Sequence, residues 1–142
     1  MNNSSPDYTL LNHTADLGIR IRGSDLISLF ENAGNALVHL IVKIKSSGNP
    51  SPVKISLSGT DLEDLMVRWL GEILYLLEGE NLVVTSTKID FLSSSRLEAT
   101  LETVPFDLRI HEILSEIKAV TYHRIEVVKK GDAWEATVIF DL

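Results

Sequence analysis

Two stretches of the sequence carry apolar residues at three- and four-residue steps, which is the pattern of amphipathic helices. The first stretch predicts a helix from about Asp25 to Val42, with Ser24 as its N-cap. The second stretch begins with Thr60-Asp-Leu-Glu63, which has the spacing of a capping box. It ends at Gly79, a residue suited to the left-handed conformation that closes a helix. Two helices are therefore expected.

Most other patterned stretches alternate apolar and polar residues, as strands with one buried face do. Short turns such as Ser93-Ser-Ser95 and Lys130-Gly-Asp132 join several of them as hairpins. Phe106–Glu116 follows neither period and is expected to be an irregular connection with at most a short turn. The predicted strands are Leu17–Ile21, Val53–Leu57, Leu82–Phe91, Arg96–Val104, Ala119–Lys129 and Trp134 to the end of the chain.

The order of these elements predicts the fold class. Two helices and about six strands, mostly joined as hairpins, predict an α+β fold in which the helices pack on one face of a largely antiparallel mixed sheet. The strand-helix-strand stretches leave room for a parallel pair. Residues 1–7 are polar and include Pro6, so a flexible leader is expected there. The length of 142 residues suits a single domain, taken as residues 8–142.

Composition narrows the class of protein. Hydrophobic residues make up 44% of the chain, which is enough for a folded core. The balance of 13 Lys and Arg against 20 Asp and Glu gives a net charge of −7, which disfavours direct high-affinity binding of nucleic acid. The sequence has no Cys, which excludes disulfides, thiolate metal sites and Cys nucleophiles. No signal peptide or membrane-spanning run is recognised, so a cytoplasmic protein without membrane association is expected.

Several common enzyme motifs are missing. The sequence contains no glycine-rich phosphate loop ending in Gly-Lys-Ser/Thr and no Gly-x-Gly-x-x-Gly. It also contains no Gly-x-Ser-x-Gly elbow and no helix with paired His residues. Any chemistry must therefore come from less familiar clusters of polar residues.

The first such cluster is His13-Thr-Ala-Asp16, just before an alternating strand. Asp16 fits a turn or capping residue as well as a carboxylate ligand. His13 has no second His at metal-binding spacing, so a hydrogen-bonded, partly buried His is an alternative to a ligand. The spacing of the residues is compatible with both interpretations of Asp16 and with both interpretations of His13.

The second cluster is the end of the chain, where Asp141 is followed by Leu142. The side-chain carboxylate and the terminal carboxylate are close together there and repel each other unless a cation or solvent screens them. One reading is a pair of solvated terminal carboxylates. The other is an all-oxygen site for a hard cation such as Ca²⁺, Mg²⁺ or Mn²⁺, which Asp16 would complete.

The third cluster is Ile117-Lys-Ala-Val-Thr-Tyr-His123, which overlaps the start of the strand predicted for Ala119–Lys129. A strand here would place Lys118 on one face, with Val120 and Tyr122, and His123 on the other. Lys and His near carboxylates suit acid-base chemistry, whereas an ordinary strand with a solvated Lys explains the same residues.

Taken together, these segments resemble the archease family. The resemblance runs in order from about Tyr8 to Leu142. Each segment is short, and their occurrence in one order, with the last at residue 142, is specific to this small family. The matching segments are His13–Ile19, Leu29–Ala33, Trp69–Leu70, Leu74–Leu76, Ile117–His123 and Phe140–Leu142.

The resemblance implies a function. Archeases are non-enzymatic cofactors of the RtcB-type RNA-splicing ligase, and they promote its guanylylation by GTP and its multiple turnover in tRNA splicing. The family's divalent metal site would comprise Asp16, Asp141 and the terminal carboxylate of Leu142. Lys118 would act in activation of the ligase, together with the two His residues of the matching segments, His13 and His123.

Two other functions remain open on the residues alone. A metal-dependent hydrolase using Asp16, His123 and Asp141 would cleave a phosphate ester without a partner. A chaperone-like interaction module would use an apolar groove, and its partner binding would not change when metal is removed.

Overall fold

The computed structural model describes residues 7–11 and 16–142. Residues 1–6 of the predicted leader lie outside the described residues, as do residues 12–15, which include His13. The described residues form two helices, α1 (Leu26–Ile41) and α2 (Leu62–Glu80). Their strands are β1 (Tyr8–Leu11), β2 (Asp16–Gly23), β3 (Val42–Ile44), β4 (Ser51–Ser58), β5 (Leu82–Leu92), β6 (Arg96–Pro105), β7 (His111–Ile113), β8 (Ala119–Val120), β9 (Glu126–Lys130) and β10 (Ala133–Asp141).

Helix α1 lies where it was predicted, but its N-cap is Asp25 and not Ser24. The Asp25 carboxylate accepts a hydrogen bond from the N–H of Ser28 at 2.7 Å. The Ser28 hydroxyl in turn accepts one from the N–H of Asp25 at 3.1 Å. This reciprocal pair is a capping box, and it decides which of two adjacent cap-forming residues starts the helix.

The start of α2 also differs from the prediction by one residue. Its N-cap is Asp61, whose carboxylate accepts a hydrogen bond from the N–H of Asp64 at 2.8 Å. The predicted box between Thr60 and Glu63 is therefore wrong. The Glu63 carboxylate instead accepts a hydrogen bond from the N–H of Val127, in β9, at 3.2 Å. The Glu63 side chain therefore contacts β9 instead of capping its own helix.

The end of α2 is Glu80, one residue beyond the predicted stop at Gly79. The residue in the left-handed conformation is Asn81, with φ 54°, and its N–H donates to the carbonyl of Leu76. Asn tolerates this conformation better than most residues, which explains why the helix runs past the glycine.

The predicted hairpins are confirmed. Strands β5 and β6 pair antiparallel from Leu82 with Pro105 to Leu92 with Leu97, with two register shifts. Strands β9 and β10 pair through a tight turn at Gly131, whose φ of 63° is one that glycine adopts at little cost.

Two stretches differ from the predicted pattern. The single strand expected over Ala119–Lys129 is broken into β8 and β9 by a turn at 121–125, in which Arg124 has φ 55°. The stretch Phe106–Glu116 includes β7, which pairs with β3. In both places the periodicity is too short to show where pairing with a distant strand starts and stops.

All strand pairs among the described residues are antiparallel, and they form three sheets. The first has the order β1-β2-β10-β8, with β9 also beside β10. The second has the order β4-β6-β5, and β3 and β7 form the third. Two helices on antiparallel sheets confirm the predicted fold class. Neither described helix is both long and apolar enough to span a membrane.

One hydrophobic core joins the helices to the sheets. Trp69 of α2 and Phe30 of α1 are fully buried, and the indole N–H of Trp69 donates to the carbonyl of Phe30 at 2.7 Å. Truncation of either ring to Ala would cost about 3–5 kcal/mol of stability. The buried side chains of Ile19 and Phe140 join the same core, so the last residues of β10 are held in place beside β2.

Candidate functional site

Strands β2 and β10 bring two acidic residues together at one end of their ladder. Asp141 is the direct register partner of Asp16. Residues directly opposite on an antiparallel pair share one face, with Cβ atoms about 4.5–5.5 Å apart. Phe140, beside Asp141, is fully buried and fixes the end of β10. We call the pair Asp16 and Asp141 the carboxylate corner.

A third segment of chain meets this corner. The N–H of Lys118 donates to the carbonyl of Asp141 at 2.8 Å. Ala119, the first residue of β8, is the register partner of Asp141 on the side away from β2. The backbone of Asp141 is therefore held from both sides, and Lys118 lies next to the corner with an exposed side chain.

The corner carries negative charge without a described counterion. Asp16 is half-buried and Asp141 is exposed. Within residues 7–11 and 16–142, no Lys, Arg or His forms an ion pair with either carboxylate. Like charges directly opposite each other across two strands are destabilising. A bound cation would remove this repulsion.

The chemistry of the corner fits a hard cation. Carboxylate oxygens are the ligands that Ca²⁺, Mg²⁺ and Mn²⁺ prefer. No group of three or more His, Asp or Glu side chains in the described part of the chain is arranged to hold a metal ion. The side chains of Asp16 and Asp141 would supply two ligands to such a cation. Leu142, which follows Asp141 and is 46% exposed, could add its terminal carboxylate as a third.

His123 does not lie on a strand face as the sequence predicted, because β8 ends at Val120. Beyond β8, Thr121 donates hydrogen bonds to the carbonyl of Ile139, from its N–H at 3.0 Å and its hydroxyl at 2.8 Å. The N–H of His123 donates to the Thr121 hydroxyl at 3.3 Å, and the His123 side chain is exposed.

A further acidic residue lies near the turn 121–125, and it was not identified from the sequence. Asp64, in the first turn of α2, is 8% exposed. Its carboxylate accepts hydrogen bonds from the Tyr122 hydroxyl at 2.6 Å and from the N–H of Thr60 at 2.9 Å. The Nε of Arg68 donates to both of its oxygens at 3.1 Å. We call these four residues the anchor network, since they tie the turn 121–125 to α2.

The anchor network holds Asp64 in its charged form. The hydrogen bond from Tyr122, followed by that from the N–H of Thr60 and the Arg68 guanidinium, lowers the pKa of Asp64 to about 2. The same hydrogen bond from the phenol raises the pKa of Tyr122. The one sequence signal for this network is the four-residue spacing of Asp64 and Arg68, which is common on exposed helix faces.

The sequence matches the model of the Archease protein family (MTH1598/TM1083) over residues 8–142. Protein archease of Methanosarcina barkeri is 33% identical over an alignment of 146 positions, which covers 100% of both chains. Protein archease of Pyrococcus furiosus is 34% identical over 92% of this chain and 94% of that protein.

Solved structures agree with these matches. The solution structure of Methanobacterium thermoautotrophicum protein 1598 matches with a TM-score of 0.72 and 26% identity, over 96% of this chain and 99% of that one. The 2.0 Å crystal structure of a Thermotoga maritima protein, described as an archease and possible chaperone, matches with a TM-score of 0.67. At 23% identity, over 93% of this chain and 94% of that one, the second match shows a shared fold. The chain therefore belongs to the Archease protein family.

Proposed function

We propose that this protein is a non-catalytic activator of an RtcB-type RNA-splicing ligase in the cytoplasm. It promotes guanylylation of the ligase by GTP and its multiple turnover in tRNA splicing. Family membership supports this role. The observation that carries it is the pairing of Asp16 with Asp141 beside Lys118, because an activator needs its charged groups together on an accessible surface.

In this proposal Asp16, Asp141 and the terminal carboxylate of Leu142 bind one divalent cation, which is Ca²⁺, Mg²⁺ or Mn²⁺. When bound, the cation supplies positive charge at a point where the chain itself has only carboxylates. The β-ladder presets the two Asp backbones, so little conformational entropy is lost on binding.

Lys118 acts toward the partner. Its backbone is fixed by the hydrogen bond to Asp141, and its ammonium group forms no ion pair with a described residue. A Lys held in this way can contact a phosphate or carboxylate of the ligase. His13 and His123 are proposed to act in the same activation of the ligase.

The charge of the whole protein supports a basic partner. A net charge of −7 attracts a protein with an RNA-binding surface and raises the rate of encounter. The Thermotoga maritima relative is described as a possible chaperone. Action on a partner protein is common to that description and to this proposal.

Turnover of the purified ligase tests the proposal. The ligase is incubated with GTP, Mn²⁺ and an excess of cleaved RNA, with and without this protein, and joined RNA is counted per ligase. We expect more than one joining event per ligase with the unchanged protein. D16N and D141N should reduce this stimulation at least about tenfold, because each removes a charged ligand.

The control is D132N, which removes one negative charge from an exposed Asp in the β9–β10 turn. It should stimulate fully, and circular dichroism should show that all variants are folded. An added glycine after Leu142 moves the terminal carboxylate and should weaken stimulation. K118A should also reduce stimulation while cation binding remains.

Different results would contradict different parts of the proposal. No stimulation by the unchanged protein would reject the function. Full stimulation by D16N and D141N would reject the carboxylate corner as the site. Release of phosphate from an ester with Mn²⁺ and no ligase would favour a metal-dependent hydrolase. Ligase binding that persists unchanged in a chelator would favour a chaperone-like module.

A further inference from the structure

A groove separate from the carboxylate corner runs between the C-terminal half of α2 and the segment 113–117, and it has a volume of about 360 Å³. Six of its ten lining residues are apolar and four are polar. Leu74 and Ile117 are buried in its floor, whereas Ile113 is 40% exposed at its edge. This volume lies within the range of about 300–1,000 Å³ that is typical of binding clefts.

The charged groups of this groove are acidic. Glu78 and Glu116 line it and are exposed. No Lys, Arg or His is among the described residues that line it, and neither Glu forms an ion pair with a described residue. We call it the acidic groove.

The end of α2 adds to this negative charge. Carbonyl groups at a helix C-terminus carry a partial negative charge, which a basic residue in the last turn usually offsets. The last turn of α2 has no basic residue and instead contains Glu78 and Glu80. This arrangement costs stability, because two acidic side chains lie at the negative end of the helix. A cationic group from outside the chain would offset that cost.

We propose that the acidic groove binds a segment of a partner protein in which an apolar side chain lies next to Lys or Arg. The apolar side chain would occupy the space between Leu74 and Ile113, and the cation would meet Glu78, Glu116 and the end of α2. A second copy of this chain is a poor occupant, because it also carries a net charge of −7.

The groove adjoins the carboxylate corner along the chain. Ile117 lines the groove, and the next residue, Lys118, is hydrogen-bonded to Asp141. A partner that contacts the corner can therefore reach the groove with a short segment. The inference goes beyond the proposed function and does not depend on it, since the groove needs no cation bound at the corner.

A peptide titration tests the inference. The probe is a fluorescent 12-residue peptide of alternating leucine and lysine, added to the full chain in a chelator at low salt. We expect saturable binding, with amide shifts in NMR spectra at Leu77 and Ile117. The double variant E78Q/E116Q should weaken binding roughly three- to tenfold, as the loss of two partly screened charge contacts would. The effect should shrink as salt is added.

Matched variants separate the groove from the general charge of the protein. E72Q/E126Q makes the same change in net charge outside the groove and should leave the affinity within about twofold. I113T should weaken binding. Its control is I44T, which alters an equally exposed Ile on the neighbouring strand β3, outside the groove.

Several results would overturn the inference. These are no binding of the leucine-lysine peptide, equal binding by the two double variants, or equal weakening by the two Ile variants. A leucine-glutamate peptide that binds as tightly would show an apolar site without charge selection. A serine-lysine peptide that binds as tightly would show charge attraction without a groove.

Discussion

Two acidic regions of this protein lie near the turn 121–125 but differ in how their charge is balanced. Asp64 is buried and receives hydrogen bonds from Tyr122, Thr60 and Arg68. Asp16 and Asp141 face each other at the end of a ladder, without a described ion-pair partner. One carboxylate is compensated within the fold, whereas the other two have no compensating ion pair among the described residues.

This difference shows why the number of acidic residues alone does not locate a cation site. The lone pairs of Asp64 are already used by three donors, and a metal ion would have to displace them. The carboxylate corner has no such donors among the described side chains, and its two residues are half-buried (Asp16) and exposed (Asp141). The anchor network ties the turn 121–125 to α2, whereas the proposed role of the corner is to bind a cation.

The largest expected effect concerns cation affinity. D141N should weaken binding of Ca²⁺ or Mn²⁺ at least about tenfold, because it removes a charged ligand, whereas D64N should leave the affinity within about twofold. Isothermal titration calorimetry of both folded variants measures this. A larger loss in D64N than in D141N would reverse the roles assigned to the two regions.

The second effect is on acid stability. Because the pKa of Asp64 is lowered from 3.8 to about 2, its charged form stabilises the fold fully above the unfolded value. That stability is lost as the pH falls from about 4 through about 2. Between pH 5 and pH 2, the urea concentration at the midpoint of unfolding should therefore fall less for D64N than for the unchanged protein. An equal fall in the urea midpoint with pH for the two proteins would contradict this.

A third, smaller effect isolates the phenol of the anchor network. Y122F removes the 2.6 Å hydrogen bond to Asp64 and should cost about 1 kcal/mol in the free energy of unfolding, since the bond to a charged group is partly exposed. Y75F is the control, because Tyr75 is 54% exposed and Tyr122 is 55% exposed. Equal urea midpoints for Y122F and Y75F would show that the Tyr122 hydroxyl does not stabilise the anchor network.

The smallest effect concerns Arg124, in the turn that Tyr122 anchors. With φ 55° it occupies a conformation that costs most residues about 1–2 kcal/mol and glycine much less. R124G should raise the free energy of unfolding by about 0.5 kcal/mol, after the greater entropy of the unfolded glycine is subtracted. R124A keeps a Cβ and should not stabilise the protein. Stabilisation by both variants would show that the side chain itself is unfavourable.

Long periodic elements were predictable from the sequence. Helix α2 and the β5–β6 hairpin bury one face over many residues, so the pattern repeats often enough to be read. The caps were not predictable, because adjacent polar residues such as Ser24 and Asp25 compete for the same donors. The break between β8 and β9 was also missed, since it depends on how each of them pairs with β10, which local alternation does not show.

The candidate site was only partly predictable. The residue types at the end of the chain indicated a carboxylate site, but their spacing left solvated termini as an alternative. The anchor network was missed because Asp64 and Tyr122 are separated by 58 positions, and no local pattern connects them. His13 lies outside the described residues, so its assignment stays a prediction.

The sequence by itself determined the fold class and the acidic character of the protein, because hydrophobic period and net charge are properties of the chain. Only the tertiary structure decided that Asp16 lies opposite Asp141 and that the Asp64 carboxylate accepts hydrogen bonds from Tyr122 and Arg68. The register of strands distant in the sequence and the burial of a carboxylate follow from packing of the whole core, which local patterns do not encode.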